Sequence, residues 1–375
     1  MKIGITCYPT YGGSGAVATE LGIALAHRGH EVHFVTYRLP FRLPSFLPRV
    51  FFHEVDVGRY PLFEFPPYDL ALAVRMHEVV REHELDLLHC HYAIPHATSA
   101  WITKQMLREE KRDIKVVTTL HGTDITIVGQ DPSFHTITKF SIEKSDALTA
   151  VSTYLQQETL EAFGCTACRI EVIPNFIDPA VYDRARYRGV QLPQFDGDRP
   201  VLMHISNFRP VKRIRDVVQT FAKVKKEVDS VLVMVGDGPE RQDAEQEARE
   251  LGVEKSVQFL GKIESVAPLL AAADLFLLPS DAESFGLSAL EALASGTPVI
   301  GTNVGGLPEV VTNGETGVLC GVGDTDGMAH SALELLRDKK KWDAMSQRAI
   351  ADTRERFSMD DVVEQYEQLY LAVAD

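Results

Sequence analysis

Ser280-Asp-Ala-Glu283-Ser-Phe-Gly-Leu287-Ser-Ala-Leu-Glu291-Ala-Leu-Ala-Ser-Gly296-Thr-Pro-Val-Ile300 decides how this chain is read. An apolar run, residues 275–278, ends at Pro279 and passes into this short acidic loop. Leu287, Leu290, Leu293 and Ala294 then recur at helical spacing. Ser295-Gly296 supplies a C-terminal stop before Thr297-Pro298 and an apolar strand at 299–301. The unit is strand, loop, helix, strand. In an open parallel sheet the loops at the carboxyl ends of strands form the ligand crevice, so Glu283 stands where ligands bind. Glu291 falls more than a turn inside the helix, beside the apolar stripe rather than on it. A plainer account fits the same residues, with Glu283 favouring a positive helix end and Glu291 facing water.

A chain of 375 residues exceeds one ordinary core, and two domains are expected. Hydrophobic residues at 45% and charged residues at 24% fit a soluble globular enzyme. The formal charge of −15 argues against a nucleic-acid partner, which needs a basic face. No apolar run is long enough to span a bilayer, and Met1-Lys2 leads straight into a strand. Cys7, Cys90, Cys165, Cys168 and Cys320 are odd in number and scattered, which suits a reduced, cytoplasmic location. Cys165-Thr-Ala-Cys168 lacks the second pair or nearby histidine that a zinc site needs.

In the first half, residues 2–6 and 31–35 read as strands and 16–27 as a helix. The loop at 7–15 carries Gly12, Gly13 and Gly15, which let backbone amides approach an anion at a helix start. Gly13-Ser14-Gly15-Ala-Val-Ala18 also fits a dinucleotide fingerprint, so an NADP oxidoreductase competes. Against it, the turn is long and Thr36-Tyr37-Arg38 offers no acid for a ribose, although Arg38 suits a 2′-phosphate. A hydrolase elbow fails because position 16 is alanine. Residues 39–67 lack periodicity and read as an excursion, with Arg42 a candidate anion contact. A helix at 70–83 precedes strands at 86–90, 116–120, 147–151 and 170–173, for a sheet of about six. Alternation puts His89 and His91 on one face, and packing explains that pair better than a metal. His121-Gly122-Thr123-Asp124, at a strand end, is the second site candidate. A turn capped by Thr123 or Asp124 is the competing account.

Residues 183–200 read as a linker, after which strands at 201–205, 231–235, 257–260, 275–278 and 299–301 alternate with helices near 213–227, 239–252 and 264–272. The first loop of this series holds Arg209, Lys212, Arg213 and Arg215 at a helix start. Cations are unfavourable there unless an anion compensates them, which points to a phosphate site. The Gly236-Asp237-Gly238 turn reads as architectural. Gly261, Lys262 and Ile263 are placed to present backbone groups to a base, and Gly305-Gly306 opens another helix near the crevice. Asp196-Gly-Asp198 and Asp324-Thr-Asp326 follow no hydrophobic strand, so both read as turns rather than metal sites.

The spacing Glu283-x7-Glu291, with Phe285-Gly286 after the first glutamate and Gly296-Thr297-Pro298-Val299 closing the helix, resembles the signature of retaining GT-B glycosyltransferases. The resemblance covers essentially the whole chain. It implies an α/β, GT-B fold of two doubly wound Rossmann-like domains facing a central cleft. Residues 1–182 with a returning helix at 359–375 would bind the acceptor, and 183–358 the nucleotide sugar. Glu283 would contact the donor sugar and Glu291 the ribose, with Ser284, Phe285, Gly286 and Leu287 beside them. Ile3-Gly-Ile-Thr-Cys-Tyr-Pro9, His91-Tyr-Ala-Ile-Pro-His96, Thr118-Thr-Leu-His-Gly-Thr-Asp-Ile-Thr126 and Ser206-Asn-Phe-Arg209 resemble one branch of the family. That branch moves N-acetylglucosamine from UDP-N-acetylglucosamine to the hydroxyl of L-malate with retention, the first step of bacillithiol biosynthesis.

The wider family usually has Gly-Arg where this chain has Ser206-Asn207. Charge work at the phosphates would then pass to Arg209 and Lys212, with Asn207 kept among the nucleotide-sugar residues. Stabilising the departing UDP by these cations implies no metal and no cofactor. His121 would hold the sugar or its developing charge, making His121, Glu283, Arg209 and Lys212 the catalytic set. Gly13, Ser14, Gly15, Tyr92 and Thr119 are the acceptor candidates. Three readings stand at this point: the transferase, the NADP oxidoreductase, and a silent sugar-nucleotide binder. Another acceptor and association of identical chains also stay open.

Overall fold

Short apolar runs alternating with helical patterns give parallel strands joined by crossover helices, and the chain contains two such series. The computed structural model describes residues 1–58, 64–165, 168–188, 190 and 199–374. The tripeptide Asp196-Gly-Asp198 lies outside them. Two units result, Met1–Pro174 with Asp360–Asp375, and Asn175–Met359. The boundary thus precedes the expected position at 182, and Tyr182 is bonded into the second unit along with Arg184. The Tyr182 hydroxyl donates to Glu291 at 2.6 Å, and Arg184 donates to the carbonyls of Ala273 at 2.7 Å and Ser295 at 3.0 Å.

The first unit holds β1 (Lys2–Thr6), β2 (Glu31–Thr36), β3 (Val50–Glu54), β4 (Leu87–His91), β5 (Lys115–Leu120), β6 (Ala147–Ala150) and β7 (Ile170–Val172). They form one parallel sheet in the order β3-β2-β1-β4-β5-β6-β7. β3 falls within the stretch expected to be irregular. It is an edge strand whose Phe51 is exposed, so it shows no clean apolar run. The helix expected from residue 16 begins at Gly13, so the glycine stretch forms its first turn. A methyl at Gly15 would lie 2.4 Å from the Tyr8 carbonyl oxygen. That glycine therefore permits the close fold-back of the chain.

The second unit holds β8 (Val201–Ser206), β9 (Val231–Gly236), β10 (Val257–Gly261), β11 (Leu275–Leu278), β12 (Val299–Thr302) and β13 (Gly317–Cys320), in the order β10-β9-β8-β11-β12-β13. All neighbours are parallel. Both units are therefore α/β and doubly wound. Strand order reverses between β1 and β4 in one unit and between β8 and β11 in the other, which fixes where each crevice opens. A buried cluster including Leu202, Val217, Phe221, Leu232, Leu275 and Ile300 holds the second sheet against its helices.

The expected Asp324-Thr-Asp326 turn is present: Asp324 accepts from Gly327 N at 2.8 Å and caps the helix Thr325–Arg337. Cys165 and Cys168 are joined in a disulfide, so they offer no thiolate pair to a metal, and the uniformly reduced state expected of the cysteines does not hold there. Among the described residues no helix is long and apolar enough to cross a membrane.

Candidate active site

At the reversal point of the second unit, the loop after β8 meets the loop after β11. The Asp281 amide donates to the Val211 carbonyl at 2.8 Å, and Lys212 Nζ donates to Glu283 Oε1 at 2.6 Å. Ser280 Oγ donates to the same carboxylate oxygen at 2.7 Å, and Glu283 is 9% exposed. The carboxylate is thus fixed in direction by one cation and one hydroxyl. On its other side the Gly306 amide donates to the Glu283 carbonyl at 2.8 Å, bringing the Gly305-Gly306 turn to the site as expected.

The four cations after β8 do not act alike. Arg213 reaches Asp216 at 2.7 Å and Asp281 at 3.1 Å, and Arg215 reaches Glu247 at 2.8 Å. Protein carboxylates therefore compensate these two, as Glu283 compensates Lys212. Arg209 is exposed and its side chain makes no ion pair among the described residues. Lys212 is half-buried.

What holds the loop in place was not legible beforehand. His204, fully buried in β8, bonds the Leu277 carbonyl through Nδ1 at 2.8 Å and Ser206 Oγ through Nε2 at 2.8 Å. The carbonyl only accepts, so Nδ1 carries the proton and Nε2 accepts from the serine. Ser206 Oγ in turn accepts from the Phe208 amide at 3.2 Å. Burial pushes the His204 pKa down to about 4, which keeps the imidazole neutral and the chain of bonds intact. The Gly236–Gly238 turn packs from below, since a methyl at Gly236 would stand 1.8 Å from the Ser206 carbonyl oxygen and one at Gly238 2.1 Å from that of Asn207. Asn207 itself is exposed.

Glu291 departs from its reading as a residue beside the stripe: it is 5% exposed, inside the helix Leu287–Ala294. Tyr182 is its donor, an aromatic residue from a polar stretch whose sequence gives no sign of the pairing. Gly286, with φ 98°, caps this helix in the left-handed region, and Leu287 begins it. Phe285 is buried edge-on against Phe357 at 5.7 Å, so its ring is core and only its backbone remains for a ligand. Ser284 is half-buried beside it. Gly261 adopts φ 68° at the end of β10, with Lys262 exposed and Ile263 half-buried after it.

In the first unit, the reversal point gathers Tyr8, Tyr92, His96 and His121. The Tyr8 ring lies 5.3 Å from Tyr92 and 4.8 Å from His96, and Tyr92 lies 5.3 Å from His121. Asp124 organises the turn as the capping account expects, accepting from the amides of Gly122 and Ala93 at 3.0 Å each. Burial raises its carboxyl to about 6 against the pull of those amides. His121 shares a 2.8 Å hydrogen bond with His91, and burial pushes its pKa down to about 3, leaving a neutral imidazole. His91 Nε2 and His96 Nε2 are buried with no hydrogen-bond partner among the described residues. Such orphaned polar atoms mark a place that expects a polar guest.

Two expected contacts fall away here. Thr119 is fully buried, with its hydroxyl bonded to His89 at 2.7 Å and Thr149 at 2.6 Å, so it is no acceptor residue. Arg42 is paired with Glu20 rather than waiting for an anion. His89 is packed as expected, its other nitrogen 2.7 Å from the Tyr370 hydroxyl. Gly13 and Ser14 lie in the first helical turn, exposed and half-buried respectively.

Residues 11–181 match the family model Glycosyltransferase Family 4, and residues 191–352 match Glycosyl transferases group 1. The N-acetyl-alpha-D-glucosaminyl L-malate synthase of Bacillus anthracis is 52% identical over 376 residues, spanning 100% of this chain and 97% of that one. Among solved structures, sucrose-phosphate synthase from Thermosynechococcus elongatus gives a TM-score of 0.79 at 23% identity, over 100% of this chain and 99% of that one. Anabaena HepE in complex with UDP and glucose gives 0.78 at 21% identity, over 98% and 99%. At these identities the two structures speak for the fold alone.

Proposed function

The chain belongs to the GT-B glycosyltransferases, and from that premise we propose that it moves N-acetylglucosamine from UDP-N-acetylglucosamine to the hydroxyl of L-malate with retention. The choice of substrates is supported by the full-length identity to the Bacillus anthracis malate synthase. The chemistry is supported by one geometric observation, the convergence of Lys212 and Glu283 at the strand reversal of the second unit.

In this reading the second unit takes the nucleotide sugar. Glu291 binds the ribose hydroxyls, Gly261 to Ile263 border the base, and Glu283 holds the sugar. Asn207 and the Ser284–Leu287 backbone line the same site. Arg209 and Lys212 meet the diphosphate and stabilise the charge left on it when the glycosidic bond breaks. Two cations in that role make a divalent metal unnecessary for the chemical step. The first unit takes the acceptor, through Tyr92 and the helix start at Gly13 and Ser14, and His121 contacts the transferred sugar as a neutral imidazole. Retention follows from attack on the face the UDP leaves, with the leaving phosphate accepting the malate proton.

The deciding experiment mixes the protein with UDP-N-acetylglucosamine and measures UDP release before and after adding L-malate, with and without EDTA. Release that depends on malate and survives EDTA is expected. Release that ignores malate would remove the acceptor, and loss in EDTA restored by magnesium would remove the metal-free step. Tight binding of NADP in place of UDP would return the oxidoreductase reading.

A further inference from the structure

We propose that His33, His53 and His83 form a binding site for one divalent transition-metal ion in the first unit, with zinc the best match. None of the three belongs to the substrate-binding sets above. His33 lies in β2 and His53 in the edge strand β3. The parallel register pairs His33 with Phe51 and Val35 with His53, so the two histidines share one face of the sheet. His83 is the final residue of the helix Tyr68–His83. The three side chains offer ligand atoms that all lie within 4.8 Å of one another.

The arrangement of protons is what favours a metal over a plain ring stack. His33 Nε2 lies 3.0 Å from Glu31 Oε1, and His33 Nδ1 lies 2.9 Å from His53 Nε2. A carboxylate only accepts, so the His33 proton sits on Nε2, and Nδ1 turns its lone pair to the cluster, where it accepts from His53 Nε2–H. This is the carboxylate–histidine pairing that fixes the tautomer of metal-ligating imidazoles and raises their basicity. With zinc–nitrogen bonds of about 2.0–2.1 Å at a tetrahedral angle, ligating nitrogens stand about 3.3 Å apart. The His33–His53 pair needs only a few tenths of an ångström of ring movement to reach that spacing.

Protonation and surroundings agree. His33 is fully buried and His53 is 9% exposed; burial lowers the pKa of both, that of His53 to about 4. Both imidazoles are thus neutral, the form that ligates. The Phe51 ring lies 4.8 Å from His33, nearly parallel to it, and gives the cluster an apolar wall. Glu31 supplies the compensating charge. Lys2, whose ammonium is tied to the His83 carbonyl at 2.8 Å, and Arg75, paired with Glu78 at 2.9 Å, are the opposing cations nearby. Three imidazole ligands suit a borderline ion such as zinc and leave a fourth tetrahedral position for water. Bound there, the ion joins β2, the edge strand β3 and a helix terminus.

The test uses the full-length protein stripped by chelation, titrated with zinc in a calorimeter and with cobalt(II) in a spectrophotometer. One ion per chain is expected, with cobalt ligand-field bands, no thiolate charge-transfer band, and a rise in Tm on zinc addition. His83 is only partly buried, so His83→Ala tests the site without opening the core; it should weaken binding at least tenfold. Glu31→Ala should cost about 10–100-fold while keeping the stoichiometry. Absence of binding, or undiminished affinity in His83→Ala, would overturn the assignment. A thiolate band would move the ion to the cysteines and overturn it equally.

Discussion

Lys212 and Glu283, 71 positions apart in the sequence, meet at 2.6 Å where the loops after β8 and β11 converge. The pair couples the group proposed for the diphosphate to the group proposed for the sugar. A nucleotide arriving at Lys212 must share it with a carboxylate already in place. Neither residue is then free to act as an independent contact.

That coupling is measurable. Lys212→Ala should lower kcat by about 10²–10³, the scale of losing one preorganised donor to developing charge. Adding Glu283→Gln to it should cost clearly less than the product of the two single effects, because the partners share one interaction. Strict multiplicativity in kcat across the double-mutant cycle would show that the pair does not act together.

The two glutamates should separate by role. Glu291→Gln and Tyr182→Phe are both expected to weaken UDP binding. The tyrosine change costs about fivefold, the worth of one hydrogen bond of about 1 kcal/mol. Glu283→Gln should instead reduce turnover with a small effect on UDP affinity. Titrating UDP into the three variants decides it, and equal affinity losses at 283 and 291 would contradict the assignment.

Gly236 is in neither loop, yet its replacement should disable the phosphate loop. Its φ of 123° disfavours any side chain, and an added methyl would stand 1.8 Å from the Ser206 carbonyl oxygen. Gly236→Ala is expected to weaken UDP binding by at least about tenfold, with a loss of stability of about 1–3 kcal/mol. Unchanged UDP affinity in a folded variant would mean that the turn does not set the loop.

Acid should unfold the protein earlier than its carboxylates alone require. His89, His96 and His204 are fully buried, and burial holds their pKa values at about 3, 4 and 4, below the ordinary 6.5. Unfolding lets them take up protons near their ordinary value. Their contribution is therefore complete above about pH 6.5 and is lost as the pH falls towards 4, at about 1.4 kcal/mol per pH unit for each group. Asp124 works the other way: its raised pKa of about 6 gives a contribution lost as pH rises through that value. His53 and His121, also lowered by burial, act in the same direction, so the histidines outweigh Asp124; urea midpoints should fall between about pH 7 and pH 5, and His89→Gln should flatten the slope by about one proton. A midpoint that stays level over that range would refute this.

Most of both sheets was legible because buried parallel strands are short, continuous apolar runs bounded by turn residues. β3 and β13 were not: one is an edge strand with an exposed phenylalanine, the other begins at Gly317, where a methyl would meet the Val299 carbonyl at 2.3 Å. The site divided in the same way. Glu283 and Lys212 stood out by their place after strand ends, which is a local property. Arg215 was misread because its carboxylate, Glu247, arrives from elsewhere in the chain, whereas Arg213 pairs with the nearby Asp216 as well as the distant Asp281. His204 carried one local signal, a polar residue in an otherwise apolar strand, whereas the Tyr182–Glu291 and Thr119–His89 bonds carried none. Periodicity reports which face is buried. It does not report which distant side chain the face will meet.

The helix Met359–Ala374 belongs to the first unit from Asp360 onward, although it follows the whole of the second. Its Tyr366 and Tyr370 are buried, with the Tyr370 hydroxyl on His89, and its Glu367 holds Arg28 at 2.6 Å and His30 at 2.8 Å. On the ribosome, the seven strands of the first sheet emerge with that face uncovered. They wait roughly 10–40 s, at about 5–20 residues per second, while residues 175–359 are made. The nascent first half is thus an unfinished body through nearly half of translation. Its closure is timed by the synthesis of its neighbour.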